Sequence, residues 1–320
     1  MHDTKALRKR YKIRRARRSG KRTGEVRKMD QFIVATDSGC DLPPELLEKN
    51  KIAAIMLHYD MNGESFEDNA SAEERKEFYE KMRRGTTPKT TQINETRFEE
   101  FFRGLKKDRP DLPIVYIGLG GALSGTCRNA QKAAEKLNAE ETTNAKIYAI
   151  DSTQCSAGYG LLALTAARLR DGGKSAEECV NFIEEHKIRL NALCTTDDLT
   201  YLRRSGRCSF AAALIGGILK ICPVLTLDGE GNLGVRKRVR GYQNTVKEMF
   251  TLVKETAENA GEQTLYISHS DVEERAKEFG EALKKEAGFK DVFYTEIGTV
   301  IGSHCGPGVI AAFYYGKPRK

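Results

Sequence analysis

The chain is 320 residues long, with 39% hydrophobic and 31% charged residues and a formal net charge of +8. This composition excludes a disordered or collagen-like protein, and the length suits two α/β domains better than one. No apolar run reaches the roughly 18 residues of a membrane-spanning helix, and the N-terminus lacks the apolar core of a secretory signal. We therefore expect a cytoplasmic protein without a membrane span.

The positive charge is concentrated in residues 1–29. This segment holds 13 Lys and Arg residues against Asp3 and Glu25, a net of +11, which leaves −3 for residues 30–320 when subtracted from +8. A tail so basic and so poor in apolar residues is predicted to be disordered, and it could bind nucleic acid or anionic lipid. Translation from Met29 would leave it out of the protein. Apart from this tail, we expect no nucleic-acid partner.

Eight cysteines are scattered singly along the chain, without a C-x-x-C pair or a Cys/His cluster. This pattern favours neither a zinc site nor a disulfide framework, so we expect neither a metal nor a disulfide. A lone thiol such as Cys155 or Cys305 could be a nucleophile, but small buried filler is the more common role.

Three strand–loop–helix units open the folded part. Their apolar runs predict strands at 32–35, 114–117 and 147–150, and each run is followed by a polar loop and a helical pattern. This alternation predicts a parallel sheet with helices on both faces. Ligands of such sheets bind beyond the carboxyl ends of the strands. The loops expected there carry Asp37-Ser38, Ser124-Gly125-Thr126 and Asp151-Ser152.

A helix near residues 71–84 and a hydroxyl-rich connector, RRGTTPKTTQINETRF, separate the first two units. Pro88 keeps the residue before it out of helical geometry, so the connector is predicted to be extended. Asn94 with Arg97 is typical of a helix cap.

From residue 188 the pattern predicts a second α/β domain with a mixed sheet. Strands are expected at 223–227, 233–239, 264–268 and 292–297, and helices at 210–219, 242–258 and 273–286. The DGEG turn between the first two of these strands predicts a β-hairpin. The predicted organisation is a basic tail (1–29), an N-terminal domain (30–187) and a C-terminal domain (188–320).

The segment GLGGALSGT offers backbone N–H groups at a helix N-terminus, beside the hydroxyls of Ser124 and Thr126. It is neither a Walker motif nor a clean G-x-G-x-x-G motif. It suits one anion, either a carboxylate or a phosphate. A glycine-rich turn with a capping serine is the alternative without function.

Near the C-terminus, GSHCGPGV predicts a rigid, irregular turn that presents His304. An imidazole can donate to a carboxylate directly or through another group, although most solitary histidines are structural. His269 ends a predicted strand, and Asp271 is expected to cap the helix that follows.

A stand-alone hydrolase or phosphotransferase using Ser124 and His304 is the competing interpretation. Asp37 or Asp151 could complete a triad, but the G-x-S-x-G motif is absent around Ser124.

Eight segments together resemble the DegV family of fatty-acid-binding proteins, and they follow the family's order across residues 31–314: IVATDSGCDLP, TPKTTQ, LSGTCRNA, IDSTQCSAGYG, DDLTYLRRSGRCSFAAALIGGILKICPVLTLDGEG, VRG, ISHSD and IGSHCGPGVIAAF. The resemblance implies a two-domain α/β fold, with a Rossmann-like parallel sheet in the first domain and a mixed sheet in the second. It implies one long-chain fatty acid between the domains and no other cofactor. It also implies a lipid-binding protein without turnover alone, which presents its acid to a fatty acid kinase subunit.

Matched to the family's motifs, the fatty-acid carboxylate site is expected at Thr90, Ser124, Gly125, Thr126 and His304. Possible supporting residues are Asp37, Ser38, Thr91, Arg207 and His269. No residue is assigned a catalytic role, and the apolar segments 211–219 and 221–227 are expected to line the acyl chain. The chain departs from the family pattern at Thr91, Ser270 and Cys222, and the change at Ser270 bears on kinase coupling more than on lipid binding.

Overall fold

Residues 32–69, 71–107, 109–140, 145–196, 198–208 and 221–320 are described by a computed structural model of the chain. The strands in this part of the chain are β1 (Ile33–Asp37), β2 (Ile52–Ile55), β3 (His58–Met61), β4 (Glu64–Glu67), β5 (Lys89–Thr91), β6 (Ile114–Gly118), β7 (Ile147–Asp151), β8 (Leu190–Thr195), β9 (Val224–Leu227), β10 (Leu233–Lys237), β11 (Thr264–His269), β12 (Asp291–Glu296) and β13 (Ile310–Tyr315). The helices are α1 (Pro44–Lys49), α2 (Ala72–Arg83), α3 (Glu95–Lys106), α4 (Thr126–Glu140), α5 (Ala157–Asp171), α6 (Ala176–His186), α7 (Thr200–Ser205), α8 (Tyr242–Thr256), α9 (Glu273–Ala287) and α10 (Thr299–Cys305).

The first sheet is parallel, with the strand order β2-β1-β6-β7. Every residue of β1 and β6 is buried, as expected for strands covered on both faces. Val34 and Ile117 pack against α5 and α6 on one face. Ile33 and Tyr116 pack against α3 and α4 on the other. The predicted parallel sheet with helices on both faces is therefore confirmed.

The second sheet is mixed and six-stranded, with the order β10-β9-β8-β13-β11-β12. Only the β11–β12 pair is parallel within this sheet. Leu193, Ile267 and Ala312 face α8 and α9, whereas Ala192 and Phe313 join the cluster around α5. Helix α5 thus lies between the two sheets, and the predicted mixed sheet is confirmed.

A small antiparallel sheet, β4-β3-β5, was not predicted as a sheet. Its strands are three or four residues long, and β4 is exposed at every position, so their apolar pattern is weak. Tyr59 pairs with Thr90 across β3 and β5, which fixes the connector predicted to be extended. The cap predicted at Asn94 is confirmed, because its side chain accepts from the Arg97 N–H at 2.9 Å.

The segment around His304 differs from its predicted structure. The predicted irregular turn around His304 is the helix α10, and the turn begins only after it, where Gly306 (φ +72°) and Gly308 (φ +95°) adopt left-handed conformations. The following strand, β13, was missed, although it lies between β8 and β11 in the second sheet. Three glycines within nine residues, from 298 to 306, resemble a turn more than a helix.

Asp271 does not cap α9 as expected. Val272 occupies the N-cap position without a side-chain bond, and the Asp271 carboxylate instead accepts a hydrogen bond from Arg83 of α2. The hairpin predicted around the DGEG turn is confirmed by the antiparallel β9–β10 pair. The helix predicted at 210–219 lies outside the described residues. Within the described part, no helix has the length and apolar character needed to cross a bilayer.

Residues 32–187 are called the N-terminal half below, and residues 188–320 the C-terminal half. The N-terminal half contains the parallel sheet and the small sheet, and the C-terminal half contains the mixed sheet. The loops that follow β6 and β7 open toward the C-terminal half, which brings elements from both halves around one cavity.

Candidate functional site

A cavity of about 200 Å³ lies where the loops after β6 and β7 meet the second sheet. Its apolar wall is formed by aliphatic and aromatic residues from both halves: Leu57, Leu119, Leu123, Leu202, Leu225, Leu233, Ile297, Val300, Ile301, Val309, Ala311 and Phe313. The polar residues on the wall are Thr90, Thr91, Gln92, Ser124, Thr126, Ser156, Thr195, Thr196, Arg207 and His304. Three thiols, Cys155, Cys194 and Cys305, complete the lining. A mostly apolar cavity with a few polar groups is typical of a small-molecule site.

Thr90 and His304 meet on this wall. The Thr90 Oγ1 and His304 Nε2 atoms are 2.9 Å apart, although 214 positions separate the residues in sequence. Strand β5 places Thr90 through its pairing with β3, and the last turn of α10 places His304. The contact therefore joins the two halves at the polar part of the cavity.

The imidazole of His304 is neutral near pH 7. Burial lowers its pKa to about 4, and the positive charge of Arg207 adds to the shift. A neutral imidazole carries one N–H donor and one acceptor nitrogen. When the proton is on Nε2, His304 donates to Thr90 Oγ1, which leaves the Thr90 hydroxyl proton available to a carboxylate in the cavity.

Ser124 and Thr126 form the second polar group of the wall. The Ser124 hydroxyl donates to Thr126 Oγ1 at 3.0 Å and accepts from the Thr126 N–H at 3.3 Å. Both residues stand at the N-terminus of α4, a helix of 15 residues. The partial positive charge of a helix N-terminus favours an anion there.

Gly125 lies between these two residues but is not part of the cavity wall. A Cβ atom at Gly125 would stand 2.5 Å from Gln92 Oε1, so the glycine admits the Gln92 side chain, and Gln92 does line the cavity. Gly125 contributes to the site through this close packing.

Arg207 places a positive charge at the cavity. Its side chain lines the wall and is exposed, and its guanidinium donates to the Ser205 carbonyl at 2.6 Å. Because it follows the short helix α7, it belongs to the C-terminal half, opposite Ser124. An anion near His304 would experience its field.

Asp37 is not brought to the cavity. Its side chain is fully buried, and the hydroxyls of Tyr116 and Tyr159 each donate to it at 2.6 Å. Burial raises the pKa of this carboxyl above its usual range, although both tyrosine bonds oppose the shift. Asp37 therefore ties β1 to β6 and α5 and does not line the cavity.

Ser38 and His269 also lie away from the wall. The Ser38 hydroxyl donates to Asp68 at 2.9 Å and accepts from the Leu57 N–H at 3.0 Å. His269 lines a different cleft together with Glu273 and Glu296, and burial lowers its pKa. The expected supporting residues that do reach the cavity are Thr91 and Arg207.

No Ser–His–Asp triad is formed by the residues that the sequence offered, all of which the structure describes. Ser124 bonds Thr126, and His304 bonds Thr90. Asp151 accepts from the backbone N–H groups of Gly121 and Thr153. The three side chains are thus engaged separately, without the chained hydrogen bonds that activate a serine.

The cavity wall also contains three thiols and two β13 residues that the sequence did not assign to the site. Burial raises the pKa of Cys155 to about 12, so this thiol is neutral and acts as small apolar filler. Ala311 and Phe313 face the cavity two positions apart on β13. The available signal was the continuous apolar run IAAFYY, which is typical of a strand buried on both faces.

Comparisons with known proteins agree with this architecture. The family model described as "Uncharacterised protein, DegV family" matches residues 31–317. A DegV domain-containing protein of Clostridium perfringens is 35% identical over 293 residues, which cover 91% of this chain and 100% of that relative.

Two solved structures are similar over nearly their whole length. DegV from Bacillus subtilis, described as a fatty acid binding protein, is 27% identical with a TM-score of 0.76, covering 90% of this chain and 99% of its own. A DegV family protein from Thermus thermophilus, described by its fatty acid binding, is 26% identical with a TM-score of 0.77, covering 89% of this chain and 99% of its own. From the family match and these likenesses, the chain belongs to the DegV family.

Proposed function

We propose that the protein binds one long-chain fatty acid in the cavity between its halves. The observation that carries the proposal is a largely apolar cavity with a polar wall made by Thr90–His304 and by Ser124–Thr126. In this proposal the carboxylate takes hydrogen bonds from the Thr90 and Thr126 hydroxyls, the latter oriented by the bond from Ser124, and it is attracted by the charge of Arg207. The acyl chain lies among the aliphatic residues. The fatty acid binding described for the Bacillus subtilis and Thermus thermophilus relatives supports the same ligand class.

The acyl chain supplies most of the affinity. Burying about 14 methylenes at ~0.8 kcal/mol each contributes roughly 11 kcal/mol before the cost of association and chain ordering is subtracted. The polar wall adds much less, because a carboxylate is well hydrated in water and loses that hydration on binding. The polar residues therefore set the orientation of the acid more than its affinity.

The two halves are proposed to act as domains, at residues 30–187 and 188–320, that enclose the acid. The separate sheets of the two halves support this division, and the Thr90–His304 pair and the bond from Arg83 to Asp271 hold the halves together. Both join residues on opposite sides of the boundary.

The bound acid is proposed to be a substrate for a partner fatty acid kinase, which forms an acyl phosphate, and the protein alone is proposed to have no turnover. The separate engagement of Ser124, His304 and Asp151 supports a carrier over a hydrolase. The serine at position 270, which bears on kinase coupling, is accommodated by the fold, because this residue is fully buried and its hydroxyl accepts from the Val309 N–H at 2.8 Å. This departure from the family pattern therefore lies inside the fold and not on its surface.

Native mass spectrometry of the protein as purified, followed by organic extraction, tests the ligand. We expect one fatty acid per chain. A lipid-free protein that also ignores added fatty acids would overturn the proposal.

The loaded protein should then be incubated with ATP, with and without a fatty acid kinase. We expect acyl phosphate only when the kinase is present. Steady product release by the protein alone, abolished by Ser124→Ala, would instead support a stand-alone hydrolase or phosphotransferase.

A further inference from the structure

Helix α10 belongs to the C-terminal half, yet residues of the N-terminal half hold it at both ends. At its N-terminus, Asp68 Oδ1 accepts from the Thr299 N–H (2.8 Å), the Thr299 hydroxyl (2.7 Å) and the Val300 N–H (3.2 Å). At its C-terminal end, His304 contacts Thr90 at 2.9 Å. The position of the helix is therefore defined against the N-terminal half.

Asp68 is itself held firmly. Its other oxygen, Oδ2, accepts from the Ser38 hydroxyl at 2.9 Å, and Ser38 accepts from the Leu57 N–H at 3.0 Å. Only 9% of Asp68 is exposed. Both carboxylate oxygens are therefore committed, one to the helix and one to the loop after β1.

A second carboxylate supports the same helix end. Asp41 accepts from the Gly298 N–H at 2.8 Å. A Cβ atom at Gly298 would lie 2.9 Å from Asp41 Oδ1 and 3.0 Å from Asp68 Oδ1, which shows how closely the two carboxylates approach. Three successive backbone N–H groups, from Gly298 to Val300, are thus satisfied by acceptors of the N-terminal half.

These bonds matter because α10 has only seven residues. A helix this short is not stable on its own and depends on its tertiary contacts. Carboxylates at a helix N-terminus make charge-assisted hydrogen bonds, which are stronger when buried. Tyr79 adds a further bond from the N-terminal half, since its hydroxyl donates to the Ile297 carbonyl at 2.8 Å.

We propose that Asp68 is a positioning residue for the head-group site, which holds α10 so that His304 meets Thr90. The expected effect on binding rests on the proposed fatty-acid site. The geometry by which Asp68 holds α10 does not depend on that proposal. Ser38 acts with Asp68 in this role, which gives it a function without contact with the ligand. The acyl chain needs only an apolar space, so the effect of losing Asp68 falls mainly on recognition of the carboxylate.

Binding of palmitic acid and of methyl palmitate to delipidated protein separates these effects. Hydrogen bonds to charged groups contribute roughly 1.5–3 kcal/mol, so Asp68→Ala should weaken palmitic acid binding by about tenfold or more. The uncharged ester should change by less than about twofold, since its chain contacts remain. Asp68→Asn keeps an acceptor of the same shape and should retain part of the preference for the acid.

Asp291→Ala is the matched control, because that carboxylate bonds the Val292 N–H and Lys284 and not α10. It should leave both affinities unchanged. Equal weakening of acid and ester in Asp68→Ala would show a merely structural role and overturn the inference, as would no change in either.

The titration of His304 in ligand-free protein, followed by NMR, tests the geometry without any lipid. In Asp68→Ala the His304 pKa should rise from about 4 toward its ordinary value of 6.5, because the ring leaves its buried place beside Thr90. An unchanged His304 pKa would contradict the positioning role. If wild-type protein binds no palmitic acid, the proposed function fails, and this titration still decides the inference.

Discussion

The polar and the apolar parts of the cavity wall are built in different ways. The polar part joins side chains from short, separate elements, with Thr90 on β5, Ser124 before α4 and His304 on α10. The apolar part mixes loop and helix residues with strand residues, and on β13 the alternate residues Ala311 and Phe313 face the cavity. A regular strand needs only the correct alternation, whereas each polar residue needs a partner to hold it. The two parts should therefore respond differently to mutation.

The largest effect is expected from filling the apolar part. Ala311→Leu adds three carbons to the space proposed for the acyl chain. Displacing about three methylenes at ~0.8 kcal/mol each weakens palmitic acid binding roughly 50-fold. Isothermal titration calorimetry measures this change.

Ala312→Leu is the matched control, because Ala312 is the next residue of β13 and packs against α8 and α9 instead. Ala312→Leu overpacks a filled core and should lose about 1–3 kcal/mol of stability, whereas the leucine of Ala311→Leu extends into the cavity. Only Ala311→Leu should weaken binding. Equal weakening of palmitic acid binding in the two variants would show that the loss of affinity does not depend on filling the cavity.

A smaller effect is expected from the polar part. Thr90→Val removes the hydroxyl that contacts His304 while keeping the shape of the side chain. Palmitic acid binding should weaken by about tenfold, because one hydrogen bond to the carboxylate is lost. Methyl palmitate binding should hardly change. Thr90→Ser restores the hydroxyl and should restore the preference for the acid, and a failure to do so would remove Thr90 from the head-group site.

The pH dependence of stability reports on His304. Its folded pKa of about 4 lies below the ordinary 6.5, so protonation favours the unfolded chain. Above pH ~6.5 the imidazole is neutral in both the folded and the unfolded chain, so its shifted pKa does not affect the free energy of unfolding. The free energy of unfolding decreases as the pH falls from there toward the pKa of the folded state. Since the ring is only half-buried, solvent screening limits the loss to on the order of 1 kcal/mol.

Urea unfolding at pH 7 and pH 5 measures this loss. Asp37 and Asp41, whose burial raises their pKa values, act in the opposite direction. Asp37 and Asp41 are present in both the wild type and His304→Gln. Their contribution therefore cancels when the stability losses of the two proteins are compared. The variant should lose less stability on acidification than the wild type. An identical loss would show that His304 is not held neutral by its surroundings.

Arg207 should give the smallest effect. Its side chain is exposed, so its attraction for a carboxylate is screened, and Arg207→Gln should weaken palmitic acid binding by only about threefold. The difference should shrink as salt is added. Arg203→Gln is the control, because Arg203 is also exposed but does not line the cavity. A salt-independent effect would point to packing and not to charge.

The parallel sheet could be predicted from the sequence because its strands are continuous apolar runs. Val34 and Ile117 lie within such runs and are buried in the core, so neighbouring residues in the sequence are enough to identify their strands. Helix α10 could not be predicted in this way. It is a short segment with several glycines, and its N-terminus is capped by Asp41 and Asp68, which are more than 200 residues away in sequence.

The site residues show the same limit. The family's motifs pointed to Thr90, Ser124 and His304, but nothing in the sequence showed that Thr90 and His304 touch. Their contact depends on the pairing of β5 with β3 and on the packing of α10 against the N-terminal half. Asp37 shows the converse limit, because it lies away from the cavity. A carboxylate at the end of a parallel strand is typical of a ligand site, and only the structure shows the two tyrosine hydroxyls that occupy it.

Calorimetric titration of delipidated protein with palmitic acid tests whether one cavity with an apolar and a polar wall holds a fatty acid. We expect saturable binding of one acid per chain with a negative heat-capacity change, because apolar surface is buried. Absence of saturable binding, or several weak sites without a heat-capacity change, would contradict the account.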